Sequence, residues 1–448
     1  MSLPRYGEYK DSGVAWLGKV PSHWRLHQAR RLFEQRRDAS LPEDEQLSVT
    51  QKYGVIPQRL FMEQEDQKVV LALSGLGNFK RVQPDDFVIS LRSFQGGIER
   101  SRYAGCVSPA YTVLRPNSEL VPSFWEYLLK SSKYIAALQT TTDGIRDGKN
   151  ISYEQFGALC IPIAPPNEQT TIAAFLDRET SKIDALIAEQ EKLIALLAEK
   201  RQATISHAVT RGLNPDVPMK DSEVDWLGEV PAHWGVVQLR RVLEGFEQGW
   251  SPECEARQVE DDEWGVLKAG CVNGGVFQAN EHKALPSALE PRANFEVQDG
   301  DVLMSRASGS PKLIGSVALL VDPPPRLMLS DKIFRLSLSQ EMLSSYFALM
   351  MSSRPLRIQI EQSIGGAEGL ANNLTQASIK EFWLTLPPLD EQKAIASYLG
   401  SVVKKYEGLI QEVACGIGLL KERRSALIAA AVTGQIDVRG LVDATPAT

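Results

Sequence analysis

The side chains in this chain that could do chemistry come in pairs. His23 lies in Trp16-Leu17-Gly18-Lys19-Val20-Pro21-Ser22-His23-Trp24, and His233 lies in Trp226-Leu227-Gly228-Glu229-Val230-Pro231-Ala232-His233-Trp234. An imidazole could bind a metal or act as a base, but neither has a second ligand at helical or hairpin spacing. Two Trp, a Gly and a Pro within nine residues suit an irregular, packed anchor instead. Polar loops containing glycine form the second pair. Arg92-Ser93-Phe94-Gln95-Gly96-Gly97 runs on to Arg100 and Arg102, and its counterpart is Arg306-Ala307-Ser308-Gly309-Ser310-Pro311-Lys312. From Lys80 to Arg102 there are five basic residues against three acidic, and from Leu303 to Arg335 five against two, so both regions are locally basic. Arg, Gln and Ser at such places can reach phosphates and base edges.

The missing patterns exclude more than the present ones assign. Gly144-Ile145-Arg146-Asp147-Gly148-Lys149-Asn150 has the wrong glycine spacing for a nucleotide-binding P-loop and no Ser or Thr after its Lys. No G-x-G-x-x-G, G-x-S-x-G or H-E-x-x-H occurs. The pairs Pro165-Pro166 and Pro387-Pro388 lack the preceding Asn or Asp of an amino-methyltransferase site. Five His and five scattered Cys (Cys106, Cys160, Cys254, Cys271, Cys415) argue against a metal site or a disulfide scaffold, and for a reducing cytoplasm. The expectation is a non-enzymatic chain with no cofactor of its own. No apolar run has membrane-spanning length, and Met1-Ser2-Leu3-Pro4-Arg5 lacks the apolar core expected of a signal peptide. Hydrophobic content of 43% and charged content of 23% are those of a soluble globular protein. The net charge of −7 counts against a general nucleic-acid binder, although the sign varies by region.

Two repeats must position these residues. The Trp motif recurs at an offset of 210 (Trp16 to Trp226), and a long amphipathic stretch recurs at 223 (Asn167 to Asp390). The second begins at Pro165-Pro166-Asn167-Glu168-Gln169 and at Pro387-Pro388-Leu389-Asp390-Glu391-Gln392. Asn167 and Asp390 are the expected N-caps, Glu168 and Glu391 suit the positive end of the helix dipole, and Gly212 and Gly434 mark the expected stops. Apolar residues at three- and four-residue steps make one stripe on a rod of about 65 Å, which needs a partner. The expected seam is Ile172, Leu176, Ile183, Ile187, Ile194 and Leu197 against Ile395, Leu399, Tyr406, Ile410, Ile417 and Leu420. Each half therefore runs Trp motif, variable interior, long helix. The 13 residues by which the offset grows fall in the interior. Both interiors read as mixed α/β. Phe87–Leu91, Tyr111–Leu114, Asp301–Ser305 and Ile333–Leu336 are expected strands, and Phe124–Gln139 and Met342–Ile360 are expected helices, the latter interrupted at Pro355. Asn150-Ile151-Ser152 matches Asn373-Leu374-Thr375, again at 223.

The doubled Trp-Leu-Gly-x-Val-Pro-x-His-Trp, the doubled Pro-Pro…Glu-Gln helix and the differing interiors together resemble the specificity subunit of type I restriction-modification systems, over essentially the whole chain. The resemblance implies an α+β fold: a first target recognition domain (1–165), a central spacer helix (166–212), a second recognition domain (213–386), a C-terminal spacer helix (387–436) and an unstructured tail (437–448). It implies helices packed as an antiparallel coiled coil with internal pseudo-two-fold symmetry. Each domain would read one half of a split double-stranded DNA target, and the helices would dock two methyltransferase subunits. Those partners would use S-adenosylmethionine, and restriction subunits would add ATP- and Mg-dependent translocation and cleavage. The candidate DNA contacts are Arg92, Ser93, Gln95, Arg100, Arg102, Arg146 and Lys149 in the first domain, and Lys268, Asn273, Arg306, Ser308, Lys312 and Lys332 in the second. The alternative from another class is a coiled-coil scaffold whose two heads bind proteins; sequence-specific, salt-dependent DNA binding separates the two.

Overall fold

A computed structural model describes residues 3–65, 76–90, 93–141, 151–364 and 373–441. The chain divides into two units, Met1–Glu191 with Cys415–Thr448, and Lys192–Ala414. Each unit holds one head, part of a long helix α1 (Pro166–Arg211) and part of a second long helix α2 (Leu389–Val432).

Both heads use the same sheet. In the first unit the strand order is Phe33–Arg36, Thr112–Pro116, Phe87–Ile89, Glu99–Arg100, all antiparallel. In the second it is Leu243–Gln248, Ile333–Leu338, Val302–Ser305, Val317–Leu319, again antiparallel. The central strands are the apolar runs expected from sequence. The helices differ from expectation in one respect. Phe124–Gln139 is two helices, Pro122–Leu129 and Ser132–Thr140, because the Ser131 side chain accepts from the Tyr134 N–H and caps a new start. Met342–Ile360 likewise splits into Ser344–Met351 and Arg354–Ser363, with Pro355 in the first turn of the second piece, where a missing N–H costs nothing. The matched tripeptides end in the same device: Ser152 and Thr375 each form a capping box that starts a short helix. Ile151 and Leu374 are buried beside them.

The heads diverge around that common sheet. The first adds a hairpin, Leu47–Thr50 with Gly54–Pro57. The second adds a three-stranded sheet of His282–Ala284, Gly265–Leu267 and Leu327–Met328, with its own small core around Leu267, Val297 and Leu303. Residues 437–441, assigned to a tail from sequence, are folded: Val438 is fully buried and the Asp437 N–H donates to the Pro4 carbonyl.

The first turns of the long helices correct the capping expectation. Helix α1 starts at Pro166 and α2 at Leu389, so Asn167 and Asp390 lie inside the first turn, both exposed, and the prolines before them occupy the cap. At the other ends Gly212 and Gly434 do stop the helices, with φ of +75° and +72°. Within the first unit the start of α1 and the end of α2 enter one core, where Ile172 and Leu176 meet Ile428, Ala431 and Val432. Within the second unit the end of α1 and the start of α2 do the same, where Ile205, Ala208 and Val209 meet Ile395 and Leu399. The helix segments of each unit therefore run antiparallel. Asp184 pairs with Arg424 at 2.8 Å in the first unit, and Arg201 with Glu407 at 3.3 Å in the second. Of the seam residues, Ile183 and Ile417 are buried, whereas Ile187, Ile194, Leu197, Tyr406, Ile410 and Leu420 are half-buried. The physical reason is coverage: near the heads a third layer closes over the stripe, while elsewhere two helices alone leave its flanks open.

The turn that joins each helix to its head is made by the adjacent acid and amide. Glu168 is buried and accepts from the Trp24 indole N–H at 3.0 Å, from the Tyr6 hydroxyl, and pairs with His23 Nε2 at 2.8 Å. The next residue, Gln169, is fully buried. Its oxygen accepts from the Val121 N–H at 2.9 Å and the Trp125 indole at 3.0 Å, and its amide donates to the Ala164 carbonyl at 2.8 Å. The second unit repeats this. Glu391 accepts from Trp234 at 2.9 Å and meets His233 at 2.7 Å. Gln392 accepts from the Leu343 N–H at 2.8 Å and donates to the carbonyls of Glu341 and Pro387. The imidazoles of the Trp motifs are thus parts of an anchor. The two clamps differ in cover. Tyr6 closes the first against water, but the offset of 210 puts Asp216 at its place in the second half, and the Glu391 side chain is 42% exposed.

Two predictions follow from burial. Ile183→Asp places an unpaired carboxylate in a dry seam and is expected to lower stability by about 3 kcal/mol, whereas at half-buried Ile194 the same change costs about 1 kcal/mol because the carboxylate reaches water. Equal losses in urea unfolding followed by helical circular dichroism contradict this. Glu168→Ala strands three donors, two of them buried, and is expected to cost about 2–4 kcal/mol, against about 1 kcal/mol for Glu391→Ala. Thermal unfolding of the two variants side by side measures the difference.

Candidate DNA interface

In the second head the structure gathers residues that lie far apart in sequence. Arg306 follows the strand Val302–Ser305, and its N–H donates to the Lys332 carbonyl at 2.8 Å. Its own carbonyl accepts from the Leu374 N–H at 2.9 Å, which ties the loop to the Asn373 segment. The guanidinium is half-buried over the Phe334 ring, 6.0 Å from its centre, with one N–H directed at the Asp331 carbonyl. Lys332 is exposed and its ammonium lies 3.1 Å from Asp331. Burial pushes the Asp331 carboxyl up, but the Ser251 hydroxyl and then the Lys332 ammonium outweigh it, and the group is held below its ordinary value. Lys268 joins from the other side of a cleft of about 330 Å³ and is 3.6 Å from Glu281. Lys268 and Lys332 therefore line one cleft, and Arg306, tied to the Lys332 carbonyl, lies next to Lys332 at the end of an interior strand of the sheet.

The other sequence candidates in this head are apart from it. Lys312 is exposed in the turn Pro311–Leu313, and the Ser308 hydroxyl accepts from the Ser310 N–H. Asn273 sits in the irregular turn Ala269–Gly275, its carbonyl accepting from Gln278. Sequence reasoning missed Lys283, Ser251 and Ser330, which line the same cleft. Lys283 does carry a signal: in the strand His282–Ala284 its neighbours are buried and it points outward.

In the first head, Arg92, Arg146 and Lys149 lie outside the described residues. Ser93 begins the short helix Ser93–Gly96, and Gln95 in it is exposed. Arg100 is held by Asp85, at 2.9 Å from Nε, and by Glu126 at 3.1 Å, and Glu126 also takes Arg102 at 3.2 Å. Both cations are thus already matched by carboxylates. A pocket of about 570 Å³ opens beside them, lined by Gln51, Tyr53, Phe61, Tyr111 and Glu99. Glu99 is buried; burial pushes its carboxyl up, and Lys130, 2.8 Å away, opposes that. With Lys52 and Glu65 also in its lining, this surface offers aromatic faces, an amide, two carboxylates and one ammonium paired with Glu65, whereas the cleft of the second head offers three ammonium groups and two hydroxyls. The same frame presents two different chemistries. Among the described residues no helix is long and apolar enough to cross a membrane.

Comparison with known proteins agrees with this organisation. Residues 231–413 match the family model described as the type I restriction modification DNA specificity domain. The chain is 24% identical over 366 residues to the EcoKI specificity subunit of Escherichia coli strain K12, covering 80% of this chain and 76% of that one. It is 27% identical over 215 residues to the EcoEI specificity subunit of Escherichia coli, covering 48% of this chain but only 36% of that one. A solved chain from a study of the complex assembly and conformational transition of the type I R-M system shares the fold, with a TM-score of 0.61 at 16% identity, over 92% of this chain and 98% of that one. With two heads of one strand order, two clamped helices and these likenesses, the chain carries a match to a type I restriction modification DNA specificity domain over residues 231–413 and resembles the type I specificity subunits over most of its length.

Proposed function

We propose that the chain reads a bipartite double-stranded DNA target, one half-site per head, and holds the methyltransferase and restriction subunits that act on it. The observation that carries this reading is the pairing of one frame with two surfaces: the same sheet order and the same Glu-Gln clamp bear different loops in the two heads. A common frame fixes where a loop meets a groove, and different side chains on it select different bases. The chain itself reads and does not catalyse; S-adenosylmethionine, and ATP with Mg for restriction, belong to its partners in the cytoplasm. The docking surface for those partners is the outer face of the long helices. Leu186 and Leu419 in the first unit, and Leu193, Leu196 and Leu409 in the second, are exposed there off the seam, where a monomer gains nothing from leucine.

Exchange of the first head for that of a relative is expected to change one half of the methylated sequence and leave the other intact, as read by methylome sequencing of the host. A change in both halves overturns separate reading. Arg306 is the candidate base reader of the second head, since a guanidinium held over a ring at the end of a sheet strand can pair bidentately with guanine. Arg306→Ala is expected to relax specificity at one position of one half-site by about 1–3 kcal/mol, with little change in stability. Competition binding against single-base variants tests this; uniform weakening makes Arg306 a phosphate contact instead.

A further inference from the structure

The cleft beside Arg306 has the make-up of an anion site. Three ammonium groups line it: Lys268, Lys283 and Lys332. Two are compensated, Lys268 by Glu281 and Lys332 by Asp331. Lys283 is exposed and has no ion-pair partner among the described residues, so one positive charge is left over in a chain of net charge −7. Ser330 supplies the second observation. It is 3% exposed, it lines the cleft, and its hydroxyl has no hydrogen-bond partner among the described residues. A buried hydroxyl without a partner is costly unless a ligand completes it.

The remaining groups do not compete for an anion's place. Cys254 is pushed up by burial, which outweighs the opposing effect of Lys283, so it is a neutral thiol. His282 is buried, its ring taken up by the Val259 N–H and the Ala279 carbonyl. The Asp331 carboxylate is occupied by Ser251 and Lys332, and it serves to aim that lysine.

We propose that this cleft takes one backbone phosphate of the DNA, with Lys283 as the point charge and the Ser330 hydroxyl donating to a phosphate oxygen. The inference rests on the reading of the second head as a DNA reader. It adds a division of labour within that head: the phosphate seated beside Lys283 sets the register in which Arg306 meets its base pair. An ammonium with no planar partner suits a phosphate better than a base edge, whereas the guanidinium next to it has the geometry for bases.

The test uses the complex assembled with its methyltransferase subunits and measures binding to the cognate duplex and to single-base variants over a range of salt. Lys283→Gln is expected to weaken all duplexes alike, by roughly tenfold, and to reduce the salt slope by about one, while Lys283→Arg restores both. Ser330→Ala is expected to leave thermal stability unchanged and still weaken binding, because it removes a hydroxyl that the free protein leaves unpaired. Ethylation interference at one phosphate of the second half-site is expected to disappear in Lys283→Gln. An unchanged affinity and slope in Lys283→Gln overturns the cleft as a phosphate site, as does a loss of discrimination at a single base with the slope intact. If the unaltered complex shows no sequence-specific binding, the reading of the whole chain fails rather than the cleft alone.

Discussion

A carboxylate in the first turn of a helix, buried at Glu168 and half-exposed at Glu391, holds each head in place, and the rest of the molecule depends on it. Glu168 gathers the Trp24 indole, the Tyr6 hydroxyl and His23, while Gln169 beside it gathers the first helix of the head through the Val121 N–H. Two neighbouring residues thus tie three parts of the chain to one point. Acid and amide cannot trade places without losing this. The acid only accepts, and its partners here are donors; the amide must both accept from one backbone and donate to another. The far end of the other helix closes the same joint. A side chain at Gly434 would collide with Pro21, and one at Gly212 would lie 3.1 Å from Trp234. Each Trp motif therefore meets the start of one long helix and the stop of the other, which is why a repeat of such short motifs can specify an antiparallel pair.

The heads are economical with charge. An acidic protein that reads DNA, as proposed here, must keep its cations from being neutralised by its own carboxylates, and several in the heads are so paired. Arg100 and Arg102 share Glu126, Arg335 is ringed by Glu247 and Asp301, and Arg257 is held by Glu255 and Glu263. Such pairs stiffen loops more than they stabilise the fold. What is left free is local, as at Lys283. On the proposed function, a chain arranged in this way leaves much of the phosphate attraction to its partner subunits.

The two heads show how one frame tolerates different contents. The four-stranded sheet, the split helix that follows it and the capping box before the long helix recur in both interiors. Each is held by local rules: short apolar runs in the central strands, a serine or a proline at a helix start. Between these fixed points the first head inserts a hairpin and the second a small extra sheet with its own core. The variable surface is therefore built from insertions that bring their own packing, and it can change without disturbing the clamp.

The sequence by itself determined the repeat, the two long helices with their glycine stops, the central strands and the anchoring part of the Trp motif. All are periodic or strictly local, and a period or a cap survives in one dimension. The same reading placed the helix caps at Asn167 and Asp390, because it could not see that a proline would take the cap and that the following Glu and Gln would turn inward. It marked Arg100 and Arg306 as equals. Only the tertiary structure set one between Asp85 and Glu126 and the other over Phe334 at the edge of a cleft. Lys268, Lys283 and the Ser330–Lys332 loop come from three separate stretches, and nothing along the chain says that they meet. Whether a cation is free or already paired is a property of its neighbours in space, and those neighbours are chosen by the packing of the sheet.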